Sequence, residues 1–166
     1  PKIDDGNFST KIIEISEKES VDLIIPILDI ELPIFLKIKD ISKIPVAINS
    51  EKCINDSLNK RKSIKVCESN NILFPKEINP KKYNGKFIGR PIYGTGSRGV
   101  IVSDTAMRNI PENYIWQEYI EGQEYSVDMY KDEMISPRKR IIVKDGQTVV
   151  GEIDKDEEII EYSKKV

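Results

Sequence analysis

Gly94-Thr95-Gly96-Ser97-Arg98-Gly99 matches G-x-G-x-x-G, a pattern shared by dinucleotide sites, triphosphate-covering loops and plain turns. Its context narrows the choice. A dinucleotide fingerprint lies between a strand and a helix, but Val100-Ile101-Val102 follow here, β-branched and apolar, so the turn lies between two strands. That is the setting of a flexible loop laid over a triphosphate, with glycine amides turned toward phosphate oxygens. No Gly-Lys-Ser/Thr ending is present, which excludes a P-loop. A hairpin without a ligand stays open on the loop alone. Arg90-Pro91 stands on the strand that feeds the loop, and an arginine there can grip phosphate bidentately. Arg98 lies inside the loop, as a phosphate contact or a solvated turn residue. Lys60 opens a helix just after Asn59 and by itself reads as a surface lysine. In Trp116-Gln117-Glu118-Tyr119-Ile120-Glu121-Gly122, strand alternation sends every second side chain to one face.

These residues need elements to hold them. The sequence predicts a helix over Ser9–Glu19 capped by Ser9, with Ile12, Ile13 and Ile15 on its apolar face. Val21–Ile27 is a nearly continuous apolar run, as in a strand buried on both faces. Asp29 stands where a cap would be for a helix over 30–42, with Pro33 in its first turn. Pro45–Ile48 reads as a second strand, so the start alternates like an open parallel sheet. Residues 50–70 read as two short amphipathic helices meeting around Asn59-Lys60. From residue 86 the strands read as antiparallel: Lys86–Ile92, Val100–Val102, then 115–121 pairing with 123–130 around Gly122. Arg140–Lys144 and Thr148–Glu152 flank Asp145-Gly146, a strong hairpin signal. Asp156 to the end reads as a charged helix, and a boundary falls near residue 50.

Composition removes several chemistries. The 166 residues contain no histidine, which excludes Ser-His-Asp and Cys-His machineries and His-ligated zinc. What remains is carboxylates, Lys/Arg, backbone amides and a hard metal. A net charge of -2 argues against a polyanion binder, so no nucleic-acid partner is expected. No apolar run is long enough to cross a membrane. The start, Pro1-Lys2-Ile3-Asp4-Asp5, shows no leader pattern and no initiator Met, which suggests a processed product or an excised piece. Cys53 and Cys67 read as reduced thiols in a cytoplasmic protein.

Taken in order, these stretches resemble the ATP-grasp superfamily, and within it the branch of the carbamoyl-phosphate synthase large subunit and its amino-acid-ligase relatives. Val21–Leu36 resembles the end of a pre-ATP-grasp domain. Asn59-Lys60, Lys86–Val102 (KFIGRPIYGTGSRGVIV) and Trp116–Asp128 (WQEYIEGQEYSVD) resemble the basic opening, the lid strand with its Gly-rich loop, and the adenine- and ribose-gripping segment. Arg138-Lys139-Arg140 and the hairpin after them resemble the next strands. The fold implied is α/β (α+β): residues 1–50 as the C-terminal part of a Rossmann-like pre-ATP-grasp domain, and 51–166 as an ATP-grasp nucleotide-binding region of antiparallel sheets with helices, incomplete at its C-terminus.

The resemblance implies ATP as ligand. Lys60 and Arg90 match the two phosphate-meeting cations, and Gly94, Gly96, Ser97, Arg98 and Gly99 match the lid. Glu118 matches the acceptor of the adenine amino group, with the Tyr119 and Ile120 backbone reading the ring edge. Glu124 matches the ribose carboxylate, a group that accepts two hydrogen bonds from a diol. Arg138 and Arg140 are the catalytic candidates, one of them reaching the γ-phosphate or an acyl phosphate; salt bridging is the alternative. Mg²⁺ is implied for a full-length protein, through a Glu-x-Asn run that does not follow Asp154 in this sequence. The chain therefore reads as a portion of a longer ligase that activates a carboxylate or bicarbonate for attack by an amine or ammonia, itself binding ATP weakly or not at all and without turnover. A homodimer is left open. The competing readings are a non-catalytic nucleotide-binding or interaction module and, against the strand after the loop, a dinucleotide-dependent oxidoreductase.

Overall fold

The structure, a computed structural model, describes residues 3, 5–130 and 133–165. Pro1, Lys2 and Asp4, in the stretch read for a leader, lie outside the described residues. The architecture is mixed α/β, helices together with antiparallel sheets, as the sequence predicts. The chain divides into two compact units, Pro1–Leu58 and Asn59–Val166.

In the first unit, helices α1 (Phe8–Lys18), α2 (Leu32–Ile41) and α3 (Glu51–Leu58) alternate along the chain with two extended segments. Phe8, Ile24, Phe35 and Ile38 form the core, with the Phe8 and Phe35 rings edge-on at 6.0 Å. Ser9 is not the cap of α1. Phe8 is already helical and buried, and delivering that ring to the core starts the helix one residue earlier, with Asn7 at the cap position. Asp29 is likewise no cap: it opens a 3-10 turn, Asp29–Glu31, and α2 begins at Leu32 with Pro33 in its first turn. Ser50 Oγ accepts from the Cys53 amide at 3.2 Å and starts α3.

The expected strand Val21–Ile27 reduces to one parallel bridge, Ile24 with Val46. The Ile24 amide donates to Pro45 O at 2.9 Å, and the Ala47 amide to Ile24 O at 2.8 Å. The run is not buried on both faces, since Ile25 and Ile27 are 64% and 87% exposed. Pro26 has no N–H to extend a ladder, so pairing stops where the prolines stand.

In the second unit, α4 (Lys60–Ser69) precedes a three-stranded antiparallel sheet ordered β2 (Ile101–Ser103), β1 (Phe87–Pro91), β3 (Tyr114–Glu118). Phe87, Ile115, Gln117 and Trp116 are buried in it. Gly89 faces Trp116 across the β1–β3 pair, and a Cβ there would overlap the indole ring, so only glycine lets the strand pass. A second antiparallel sheet runs β4 (Tyr125–Tyr130), β5 (Glu133–Lys144), β6 (Gln147–Ile153), followed by α5 (Glu157–Ser163). The expected pairing of 115–121 with 123–130 does not occur: β3 and β4 belong to different sheets. The outer edge of β3 is already taken. The Ile78 amide donates to Trp116 O and the Glu118 amide to Lys76 O, both at 3.0 Å. The Asp145-Gly146 hairpin forms, with φ of 50° and 76°, the left-handed pair that a tight hairpin turn requires. Asp156 caps α5 by accepting from the Glu158 and Ile159 amides.

Candidate functional site

The Gly-rich loop joins β1 to β2. Gly96, Ser97 and Gly99 all have left-handed backbone, with φ of 64°, 57° and 74°. Two anchors hold its ends. At the far end Tyr114 Oη donates to Gly99 O at 2.8 Å, and a Cβ on Gly99 would sit 3.0 Å from that oxygen. At the near end stands the start of α4. Asn59 caps the helix by accepting from the Arg61 and Lys62 amides, while its Nδ2 donates to Tyr93 Oη at 2.7 Å. The Lys60 amide donates to Ile92 O at 3.2 Å and its Nζ to Gly94 O at 2.9 Å. The helix cap thus fixes both a lysine and the entry of the loop.

Under the loop lies a cleft of about 220 Å³ lined by Lys60, Arg90, the loop residues Gly94–Arg98, and Gly146. Burial lowers the Lys60 pKa, and the neighbouring Arg90 guanidinium lowers it further. Arg90 is half-buried, and burial lowers its pKa too. Its Nη2 donates to Gln117 Oε1. Its Nε is buried with no hydrogen-bond partner among the described residues. Two cations crowded together with an unsatisfied donor call for an anion, because burying a charge without a partner is costly.

A second cleft continues from the first around the shared residues Arg90 and Ser97, and carries Glu118, Tyr119, Ile120 and Glu124 on its lining. Glu118 Oε1 accepts from the Lys76 amide at 3.0 Å, leaving further acceptor capacity on its carboxylate. The Tyr119 amide is spent on Lys86 O at 3.0 Å. Lys86 Nζ lies 4.1 Å above the Tyr119 ring and pairs with Glu121 at 3.0 Å, so Glu121 is tied outside the cleft lining.

Lys60, Arg90, Gly94, Gly96, Ser97, Arg98, Glu118, Tyr119, Ile120 and Glu124 therefore line contiguous space, while Gly99 anchors the loop without lining either cleft. Arg138 and Arg140 line another concavity with Ser126 and Gly146. Both are in ion pairs, Arg138 with Asp128 and Arg140 with Glu124. Sequence reasoning missed Gln117. It is 1% exposed, and its Nε2 donates to Pro75 O at 2.7 Å, which turns its Oε1 toward Arg90. A polar residue between Trp116 and Glu118 in an otherwise buried strand was the available signal, since buried amides take partners.

Carboxylates are scattered rather than gathered: among the described residues no three His, Cys, Asp or Glu side chains form a group able to hold a metal ion. The described residues do not by themselves fit a magnesium cage. No helix among them is long and apolar enough to cross a membrane.

A search of curated proteins finds no match. The family model for the ATP-grasp domain matches residues 57–166, from the end of α3 through α4, both sheets and α5. With two cations under a glycine loop and a carboxylate-lined groove beside them inside that span, the chain belongs to the ATP-grasp family.

Proposed function

We propose that this chain supplies the ATP-binding part of a carbamoyl-phosphate synthase-like ligase that activates a carboxylate or bicarbonate as an acyl phosphate for attack by an amine or ammonia. ATP-grasp family members are generally ATP-dependent ligases, and ATP-grasp domains bind ATP and typically Mg²⁺. The observation that carries the reading is the convergence of Lys60 and Arg90 on the cleft beneath the loop. Triphosphate oxygens neutralise both cations. The groove beyond Arg90 then receives adenine against Glu118 and the Tyr119–Ile120 backbone, and the ribose diol against Glu124.

In the reaction, an acceptor oxygen bonds to the γ-phosphorus as the bond to the ADP oxygen breaks. The amine nitrogen then bonds to the acyl carbon and phosphate leaves. Lys60 and Arg90 offset charge on the transferring oxygens, and the loop excludes water. Calorimetric titration with ATP tests the reading. A charge-assisted contact is worth about 1.5–3 kcal/mol, so Lys60→Met and Arg90→Met each weaken binding about 10- to 150-fold. Unchanged affinity in both variants, measured in the full-length protein where the chain alone binds too weakly, defeats it.

A second reading, a nucleotide-binding module without catalysis, is favoured by the lack of a metal-holding acidic group among the described residues. It predicts ATP binding with no phosphate release by the full-length protein at any Mg²⁺ concentration.

A further inference from the structure

We propose that Arg140 is a positioning residue that straps the ribose-side carboxylate of Glu124 to the Gly-rich loop through the Asp145–Gly146 turn. The inference rests on the nucleotide reading for its functional meaning, and on geometry alone for its existence.

Arg140 makes more than a surface ion pair. Its side chain is only 14% exposed, against 47% for Arg138 on the same strand face. All three guanidinium nitrogens are engaged, one by Glu124 and two by the β5–β6 hairpin at residues 146–148. Nη1 donates to Glu124 Oε1 at 2.5 Å, Nε to Thr148 Oγ1 at 2.9 Å, and Nη2 to Gly146 O at 2.7 Å. The backbone joins in, with the Arg140 amide donating to Glu124 O at 2.9 Å. A register irregularity in the β5–β6 pairing follows at Arg140–Ile142, the kind of bulge that re-aims a side chain.

The turn that Arg140 holds is the surface on which the loop rests. A Cβ on Gly146 would overlap Ser97 Oγ and sit 3.0 Å from Gly96 C and from Ser97 Cβ. From the other side, a Cβ on Gly96 would stand 3.7 Å from Asp145 O. Loop and turn are therefore in van der Waals contact. One planar cation thus fixes Glu124 at one end of the proposed nucleotide groove and the glycine loop at the other. Lysine cannot copy this, because an ammonium is a single point and the fork spans three acceptors at once.

Site-resolved amide hydrogen exchange on the nucleotide-free chain tests the strap. In Arg140→Met the amides of Gly94–Gly99 exchange about tenfold faster, while those of Phe87, Ile115 and Trp116 are unchanged. Arg140→Lys keeps a cation opposite Glu124 yet fails to restore the loop. If faster exchange is confined to β4–β6 and the loop is unaffected, Arg140 is only a sheet-stabilising residue and the strap is overturned. Rescue by lysine overturns it as well. Should Arg140→Met not fold, Gly146→Ala keeps Arg140 and crowds Ser97 directly; it speeds loop exchange, and an unaltered loop refutes the contact. ATP titration separates the two ideas. Unchanged affinity in Lys60→Met and Arg90→Met of the full-length protein removes the nucleotide reading, while the nucleotide-free exchange still decides the strap.

Discussion

Replacing Gln117 by leucine should be the most damaging conservative-volume change in the second unit. Gln117 is 1% exposed and makes two side-chain hydrogen bonds, donating to Pro75 O at 2.7 Å and accepting from Arg90 Nη2. Leucine fills the space and makes neither. The Pro75 carbonyl and the Arg90 guanidinium then both lose a partner, and Arg90 already carries a buried Nε without one. Each orphaned group costs about 1–3 kcal/mol, less where water can reach it, so the expected loss is about 2–4 kcal/mol. Trp116, the only tryptophan, is 8% exposed beside Gln117 in β3, which makes its fluorescence a local reporter. With a urea slope of about 1.5 kcal/mol/M, the midpoint should fall by about 1–3 M. Gln117→Glu separates stability from charge. It keeps an acceptor for Arg90 while cancelling the cation, so ATP binding should weaken more than in Gln117→Leu relative to the stability lost. A Gln117→Leu midpoint within 0.3 M, on the order of 0.5 kcal/mol by the same slope, would mean that the amide does not hold Arg90, and the reasoning fails.

Gly89→Ala forces a methyl into the Trp116 ring and should destabilise the same unit by about 1–3 kcal/mol, seen in the same fluorescence melt and in near-ultraviolet circular dichroism. Asn59→Ala removes the cap of α4 and the tie to Tyr93; a loss of about 1 kcal/mol is expected, together with weaker ATP binding because Lys60 and the loop entry are no longer fixed. Asp154 accepts from Lys139 Nζ at 2.9 Å and from Tyr125 Oη at 2.9 Å, and these bonds hold its carboxyl below the ordinary range. A depressed carboxyl contributes stability above its unfolded pKa of about 3.9 and loses it as pH falls through the folded value. Acid melts should therefore show a limb below about pH 4 that flattens in Asp154→Asn, and an identical limb in the variant would assign it to other carboxylates.

Much of the site was legible from local chemistry. A glycine loop followed by β-branched residues announces a turn between strands, because φ preferences act within a few residues. Asn59-Lys60 announced a helix start in the same way, and Asp145-Gly146 a hairpin. What failed were readings that needed to know the neighbour. Ser9 and Asp29 are good caps in isolation, but Phe8 enters the helix to reach Phe35, and a 3-10 turn intervenes before Leu32.

The sequence by itself determined the conformations that most short stretches prefer: where the strands after residue 86 run, where the backbone turns left-handed, and which cations and carboxylates are available. Tertiary structure alone decided the partners. Lys76–Ile78 occupies the β3 edge and sends β4 to another sheet, Gln117 finds Arg90, and Arg140 finds Glu124, Thr148 and Gly146 together. Alternation fixes only the face on which a side chain stands. Its partner is set by which distant segment packs there and by the demand that every buried polar group be satisfied.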